Sequence, residues 1–420
     1  MNNTKEYTKI EIKWFNSNKF KKRKLKYLIK FNRGVEPGSK NYGVEGEGRR
    51  FIRVNDVGSA NKDKVFVSME TDAVCRKEDI LLCLDGSPGI VVRGFDGIYS
   101  TGLRKLELVD KKLNYDYLFY SLKCDFSQEC INFFSKGTTI MHASSAINYL
   151  KQPLPEPEEQ LAITNFLDEK TKMIDKIIEN KILQIGLLEE VQRIFILNAI
   201  SLGFRKSSYK KSKVEHIEKI PSNWVERKIK YFAKVQRGKF THRPRDDPRL
   251  YDGDYPFIQT GDISQSSKYV ENYEQTLNEE GLKISKMFPK GTLLITIAAN
   301  IGDVSLLGFD SCFPDSIIGI DIFSDTTNEY LYYVLYSLKQ NILKYAKINT
   351  QMNINEQTIR PIVIPLPPKD EQTEILEKII RFEKSNEFLR EKLKQQIQKL
   401  EEYKKILMNE AVTGKIKVTN

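Results

Sequence analysis

The pattern of apolar and polar positions along this 420-residue chain changes character twice, and in the same way each time. Up to Pro153-Leu154-Pro155, short β-rich runs such as Leu81-Leu82-Cys83-Leu84 are punctuated by glycine, and a short helix is expected around Tyr117 to Lys123. A second such stretch, with the run Thr292 to Ile297 and a helix expected from Tyr330 to Lys339, ends at Pro365-Leu366-Pro367. Proline removes a backbone donor and biases its predecessor away from helix, so each punctuation is expected to stop what precedes it. Past each punctuation the pattern turns helical. From Glu158 to Ser201 the only glycine or proline is Gly186, and Leu167, Ile174, Ile177, Ile185, Leu188, Val191 and Phe195 recur at helical spacing. From Asp370 to Ala411 there is neither, and Leu376, Ile379, Phe382, Leu389, Leu393, Leu400, Tyr403 and Leu407 repeat the scheme.

About 40 residues at 1.5 Å each make rods roughly 60 Å long with a narrow apolar stripe. The rods are expected to pack on each other as an antiparallel coiled coil; the alternative is two separate helices, each laid on its own module. Antiparallel rods would set two globular modules at opposite ends of a spacer.

The modules themselves are repeats. Lys26-Tyr27-Leu28-Ile29-Lys30-Phe31-Asn32-Arg33-Gly34 returns as Lys230-Tyr231-Phe232-Ala233-Lys234-Val235-Gln236-Arg237-Gly238, 204 residues on. Phe51-Ile52-Arg53-Val54-Asn55-Asp56-Val57 returns as Phe257-Ile258-Gln259-Thr260-Gly261-Asp262-Ile263. Tyr117-Leu118-Phe119-Tyr120 matches Tyr330-Leu331-Tyr332-Tyr333, and each Pro-Leu-Pro is followed by Glu-Gln, at Glu159-Gln160 and Glu371-Gln372. Shared composition could produce one such match; four in the same order indicate two copies of one module.

Composition narrows the class. Lys+Arg 67 against Asp+Glu 56 leaves a net +11, which points to a polyanionic partner without proving one. Five cysteines form no CxxC pair, so no disulfide framework or zinc knuckle is indicated and a reducing cytoplasm fits. The polar N-terminus leads us to expect no signal peptide, and the longest apolar run, near Leu293 to Ile301, is far short of the ~20 residues that span a bilayer.

Catalytic patterns are missing. No phosphate loop, GxSxG elbow or glycine-rich methyl-donor loop occurs, and His142, His216 and His242 have no HExxH context. Cys124 and Cys130 read as buried apolar residues. Glu226-Arg227-Lys228 and Glu402-Tyr403-Lys404 resemble the tail of a metal-nuclease motif, but the second sits in a rod and the first has no acidic partner close upstream beyond the linker glutamates. No catalytic residue, cofactor or metal is assigned.

Basic, loop-rich sections remain. Module one has Lys22, Arg23, Arg33, Arg49 and Arg50; module two has Arg237, Lys239, Thr241, Arg243 and Arg245. Lys22, Arg23, Arg33, Lys239, Arg243 and Arg245 are expected to position phosphates, because cationic side chains neutralise them and release counterions. Loops holding Arg49, Arg50, Gln351, Asn353 and Asn355 are the candidates for reading bases, since arginine and amides pair with base edges. The stretch 138–145, which sits where module two has its amide-rich run, is quite different in residue type, so two scaffolds with unlike loops are expected to recognise two unlike sequences.

These residues bring a family into view. Lys219-Ile220-Pro221-Ser222-Asn223-Trp224, the Phe257-Ile258…Gly261-Asp262-Ile263 segment, the paired Pro-Leu-Pro…Glu-Gln starts and the closing Asn409-Glu410-Ala411-Val412-Thr413-Gly414-Lys415-Ile416 resemble the specificity (S) subunits of type I restriction-modification enzymes. The resemblance covers essentially the whole chain. It implies an α+β fold: two globular mixed α/β target recognition domains separated by two long helices in an antiparallel coiled coil, with a pseudo-twofold internal repeat. The expected boundaries are 1–152 for the first target recognition domain, 153–202 for the central conserved helix, 203–222 for a linker, 223–364 for the second domain and 365–420 for the C-terminal conserved helix. It also implies a cytoplasmic, non-catalytic subunit that reads a split sequence in double-stranded DNA and docks two methyltransferase (M) subunits, with restriction (R) subunits added. Module one departs from the pattern: Trp14 has no Ile-Pro before it, and Asn55 replaces glycine before Asp56. The competing expectation is a coiled-coil scaffold for other proteins whose basic surface is incidental; a nuclease with a disguised metal site is a third.

Overall fold

The computed structural model describes residues 19–58, 63–137, 141–214, 217–298, 300–348 and 354–418. Two helices dominate it, Pro157–Leu202 and Lys369–Val412, of 46 and 44 residues. Each begins just after a Pro-Leu-Pro with carboxylates in its first turn, Glu158 and Glu159 or Asp370 and Glu371, where the helix dipole favours them. Each is followed by a glycine in the left-handed region, Gly203 (φ 59) or Gly414 (φ 73), which ends the helix cheaply.

The chain divides into two compact units, Met1–Ile182 with Lys394–Asn420, and Leu183–Leu393, so each long helix contributes a segment to both. In the first unit, Lys404 Nζ binds Asp175 at 2.6 and 2.7 Å, and Lys181 Nζ donates to Gln396 at 2.6 Å. In the second, Phe195 stacks on Phe382 with centroids 4.0 Å apart, and buried Asn386 donates to the Leu188 carbonyl (3.0 Å) and Gln192 (2.8 Å). Residue numbers rise on one helix as they fall on the other: the pair is an antiparallel coiled coil. A buried asparagine satisfied by one register only is a device for holding that register.

The seam is narrower than the sequence pattern implies. Leu167 and Ile174 are buried and Ile185, Leu188 and Phe195 half-buried, but Ile177, Val191, Leu389 and Tyr403 are exposed. A two-helix seam takes one narrow stripe, and the surplus apolar residues fall on its outer flank. Gly186 has no atom within 4 Å of the position a Cβ would take. Gly186→Ala is therefore expected to stabilise the chain by about 0.5–1 kcal/mol, read as a higher urea midpoint; a lower midpoint would mean the glycine has a packing role.

The sheets of the two units follow one plan. In the first unit an antiparallel sheet runs Ile29–Arg33, Leu103–Leu108, Leu81–Cys83, Val91–Val92. A second runs Val65–Val67, Arg49–Ile52, Gly97–Tyr99, Val74–Cys75, its middle pair parallel. In the second unit the first order recurs as Ala233–Arg237, Ile317–Ile322, Leu293–Thr296, Val304–Leu307, with Tyr269–Val270 added at the edge. The other recurs as Gln275–Leu277, Tyr251–Phe257, Ser311–Cys312, Met287–Phe288, again parallel in the middle. A two-stranded ribbon completes each, Lys21–Lys24 with Lys151–Leu154 and Val225–Lys228 with Val363–Leu366.

The repeated motifs turn out to be joints of this scaffold. The Pro-Leu-Pro segments are more than a stop: their first two residues end a ribbon strand, and their carbonyls receive buried donors. Tyr117 Oη donates to Pro153 O (3.1 Å) and Tyr330 Oη to Pro365 O (3.2 Å). Gln160 Nε2 donates to Pro155 O (2.8 Å) and Gln372 Nε2 to Pro367 O (2.9 Å), fixing the start of each long helix. Asp56 and Asp262 accept from the backbone N–H three residues earlier, at 2.8 and 2.7 Å, so the repeated aspartate caps a short helix.

The stretch 203–222, expected as a linker, is instead a folded part of the second unit. Tyr209–Lys211 pairs with Lys219–Pro221, and Val214, Ile217 and Ile220 join the core that holds Trp224, Ile375 and Ile379. Its lysine-rich polarity hid three apolar residues that only the fold gathers. Among the described residues no helix is long and apolar enough to cross a membrane.

Candidate nucleic-acid interface

In the second unit, strand Ala233–Arg237 runs into Gly238, whose N–H donates to Ile317 O at 2.8 Å; the next, of Lys239, donates to Phe313 O at 3.1 Å. A Cβ at Gly238 would lie 2.3 Å from Pro314 O, so glycine lets the chain press directly on the turn that carries Asp315. Around that residue three guanidinium groups gather. Arg237 Nε donates to the Asp315 carbonyl, Arg243 Nη2 lies 3.4 Å from Oδ2, and Arg245 Nη2 donates to Oδ1. Arg243 is held further by the carbonyls of Phe240 (2.9 Å) and His242 (2.8 Å). Lys239 and Thr241 are exposed between them. Next along, the bidentate Arg249 guanidinium and the Arg249 N–H hold the Asp247 carboxyl well below the usual carboxylate range.

Beside this cluster an open cleft of about 440 Å³ is lined by Arg245, Tyr251, Gln259, Gln275 and Pro314, among others. Gln259 Nε2 donates to Gln275 Oε1 at 2.9 Å, leaving polar amide edges at the cleft. Of the amide-rich run, Asn355 caps helix Glu356–Ile359, its Oδ1 accepting from Thr358 N at 3.1 Å, so that oxygen is committed to the scaffold. Gln351 and Asn353 lie outside the described residues.

The first unit holds a larger cleft of about 650 Å³ in the corresponding place, lined by Arg33, Arg53, Asn55, Asp85, Arg104, His142 and others. Arg104 is 7% exposed and is bound by Asp85 Oδ2 (2.9 Å), Ser144 Oγ (3.1 Å) and the carbonyls of Thr101 (2.5 Å) and Leu103 (3.0 Å). His142 Nδ1 is 2.9 Å from the other Asp85 oxygen. Arg53 is clamped by Asp56 and by the Asp63 carbonyl, and Arg33 stands exposed at the rim.

The structure thus brings Arg237, Arg243 and Arg245 together, but it separates the basic residues of the first unit. Lys22 and Arg23 lie on the exposed ribbon strand, Arg23 facing Asp110 at 3.3 Å. Arg49 lines another depression with Glu70 and Asp72, and the Arg50 guanidinium sits 5.3 Å from the Phe95 ring centre. Sequence reasoning missed Arg53, Asn55, Asp85, Arg104, Gln259, Gln275 and Asp315. One signal was present: Arg53 and Gln259 occupy matching places in the repeated segment but differ in charge and shape.

Among the described residues no three His, Cys, Asp or Glu side chains gather to hold a metal. Glu226 instead accepts from Ser212 Oγ (2.9 Å) and Lys213 N (2.6 Å). The five cysteines are buried, and burial pushes the Cys75 thiol up to about 11. Grooves lined by arginine and amides are suited to phosphates and base edges.

The model of the type I restriction modification DNA specificity domain matches residues 17–186 and again 221–399. The MjaVIII type I restriction enzyme specificity subunit of Methanocaldococcus jannaschii is 30% identical over 366 residues, covering 83% of this chain and 81% of that protein. A putative type I restriction enzyme specificity subunit of the same organism, MjaX, is 28% identical over 342 residues, 80% of this chain and 74% of its own. Among solved structures, a chain from work on assembly and conformational transition of a type I R-M system has the same fold, with TM-score 0.71 at 14% identity over 95% of this chain and 99% of that one. The HsdS subunit from Thermoanaerobacter tengcongensis has TM-score 0.50 and 14% identity, over 95% and 98%. With two copies of the domain spanning most of its length, this chain belongs to the specificity subunits of type I restriction-modification systems, which recognise DNA and do not catalyse its chemistry.

Proposed function

We propose that the chain reads a bipartite sequence in double-stranded DNA, one half with each unit, and so directs adenine methylation or DNA cleavage by partner subunits. The observation that carries this reading is one scaffold present twice with different cleft walls: Arg33, Arg53, Asn55 and Arg104 in one, Arg245, Gln259 and Gln275 in the other. Identical clefts would read a symmetric site; unlike ones call for two different half-sequences. Phosphates are positioned by Lys22, Arg23, Arg33, Lys239, Arg243 and Arg245. Arg49 and Arg50, the amide-rich 351–355 segment and the clefts themselves supply the base-reading groups.

Two M subunits, joined by R subunits where the system cleaves, form the rest of the complex. The M subunits dock on the outer faces of the two long helices, where Met173 and Ile177 of one and Phe388 and Leu389 of the other are exposed apolar side chains.

The test is to express the chain with its M partner and map methylated adenines across the host DNA. A split, asymmetric motif is the expected result. Scattered or absent methylation would overturn the specificity role.

A further inference from the structure

The strand registers of the two units can be matched residue by residue. Phe51 lies beside Ile98 in one and Phe257 beside Cys312 in the other, which makes Thr101 the counterpart of Asp315. Independent hydrogen bonds agree: Val35 N donates to Tyr99 O and Lys239 N to Phe313 O, two residues earlier in each case. Arg33 and Arg237 precede the equivalent glycines. The scaffold therefore offers the same turn twice, with a hydroxyl in one unit and a carboxylate in the other. Each turn holds an arginine on its backbone carbonyl, Arg104 on Thr101 and Arg237 on Asp315, but the Asp315 carboxylate also gathers Arg243 and Arg245 on its side-chain oxygens, with 33% of the Asp315 side chain and about half of each of the Arg243 and Arg245 side chains exposed.

We propose that Asp315 is a specificity-determining residue of the second unit, an inference that rests on the two-reader proposal above. Exposed ion pairs are weak and readily exchanged. A phosphate arriving at the cluster is an equivalent acceptor for Arg243 and Arg245, and as they turn to it Asp315 loses its partners beside a polyanion. That loss is made good only by a base edge that offers an amine donor, as the exocyclic amines of cytosine and adenine do in the major groove. On a sequence without that donor the carboxylate remains unpaired and repels the backbone. Asp315 thus withholds the arginine charge from DNA at large and releases it to the right half-site. Thr101, which is uncharged, imposes no such condition on the first unit.

The test compares wild type, Asp315→Asn and Asp315→Glu in complex with the M subunits, binding a duplex with the methylated motif and an unrelated 30-base-pair duplex across a salt series. Removing one negative charge should tighten binding of Asp315→Asn to the unrelated duplex about three- to tenfold at low salt. It should steepen the log–log salt slope by roughly 0.9, and narrow the preference for the motif by a similar factor. Asp315→Glu, which keeps the charge, should stay near wild type in slope. If Asp315→Asn weakens both duplexes alike, or leaves slope and preference unchanged, the proposal is overturned and the residue is a structural tether. A wild-type complex that prefers no duplex would instead sink the two-reader reading, and this inference with it.

Discussion

Gly238→Ala is expected to destabilise the second unit by about 3 kcal/mol, at the upper end for overpacked sites, while Gly261→Ala is neutral or slightly stabilising. The two glycines stand 23 positions apart but meet opposite surroundings. A Cβ at Gly238 would lie 2.3 Å from Pro314 O and 2.5 Å from Phe313 O; at Gly261 it would meet nothing within 4 Å. Carbonyl oxygens of a paired turn cannot swing aside as a lysine tip can, so the clash must be relieved by pulling the strand end and the Asp315 turn apart. Gly34 faces the same geometry in the first unit, 2.1 Å from Ser100 O, and Gly34→Ala is expected to behave likewise. Urea unfolding monitored by fluorescence of Trp224, fully buried in the second unit, in a Trp14→Phe background reads the Gly238 effect directly. Equal midpoints for Gly238→Ala and Gly261→Ala would show that the close approach is not a constraint. The contrast also explains why Asn55 is tolerated where the second unit has Gly261: the position is open, and its motif is held together by the aspartate next in the chain.

On the proposed two-reader function, inserting one heptad into each long helix, between Ile182 and Leu183 and between Leu393 and Lys394, is expected to lengthen the gap between the two half-sequences by about three base pairs. Seven residues add roughly 10.5 Å to a helix, and one base pair rises about 3.4 Å. A heptad preserves the phase of the seam, so the contacts of Asn386 with Leu188 and of Lys404 with Asp175 should survive on either side of the insertion. The outcome is read in the methylation motif of the variant: both half-sequences kept, the spacer longer. Altered half-sequences with an unchanged gap would remove the helices from the role of spacer. Inserting the heptad in one helix only should break the pairing and abolish specific methylation.

Much of this architecture is legible in the residues alone. The duplicated segments are visible because scaffold joints tolerate few residues: Tyr117 and Tyr330 must each reach a proline carbonyl, Gln160 and Gln372 must each clamp one, and Asp56 and Asp262 must each cap a helix. Those demands are local or nearly so, and they leave a mark on spacing. The 203–222 segment reads as a linker for the opposite reason. Val214, Ile217 and Ile220 are scattered among lysines, and nothing nearby in the chain reveals that they share a core with Ile375 and Ile379.

The candidate site is less legible. The cluster at residues 237–245 can be found as a run of basic residues, but its meaning depends on Asp315, 70 positions beyond Arg245. In the first unit Arg33, Arg53, Asp85, Arg104 and His142 come from five separate segments.

By itself, then, the order of residues determined the duplication and the two long helices, because periodicity, punctuation and motif spacing act over a few turns or one strand. The tertiary structure alone decided which charges meet, since sheet register brings together side chains from segments that have no relation along the chain. It also decided which arginines face solvent and which are bound to a carboxylate.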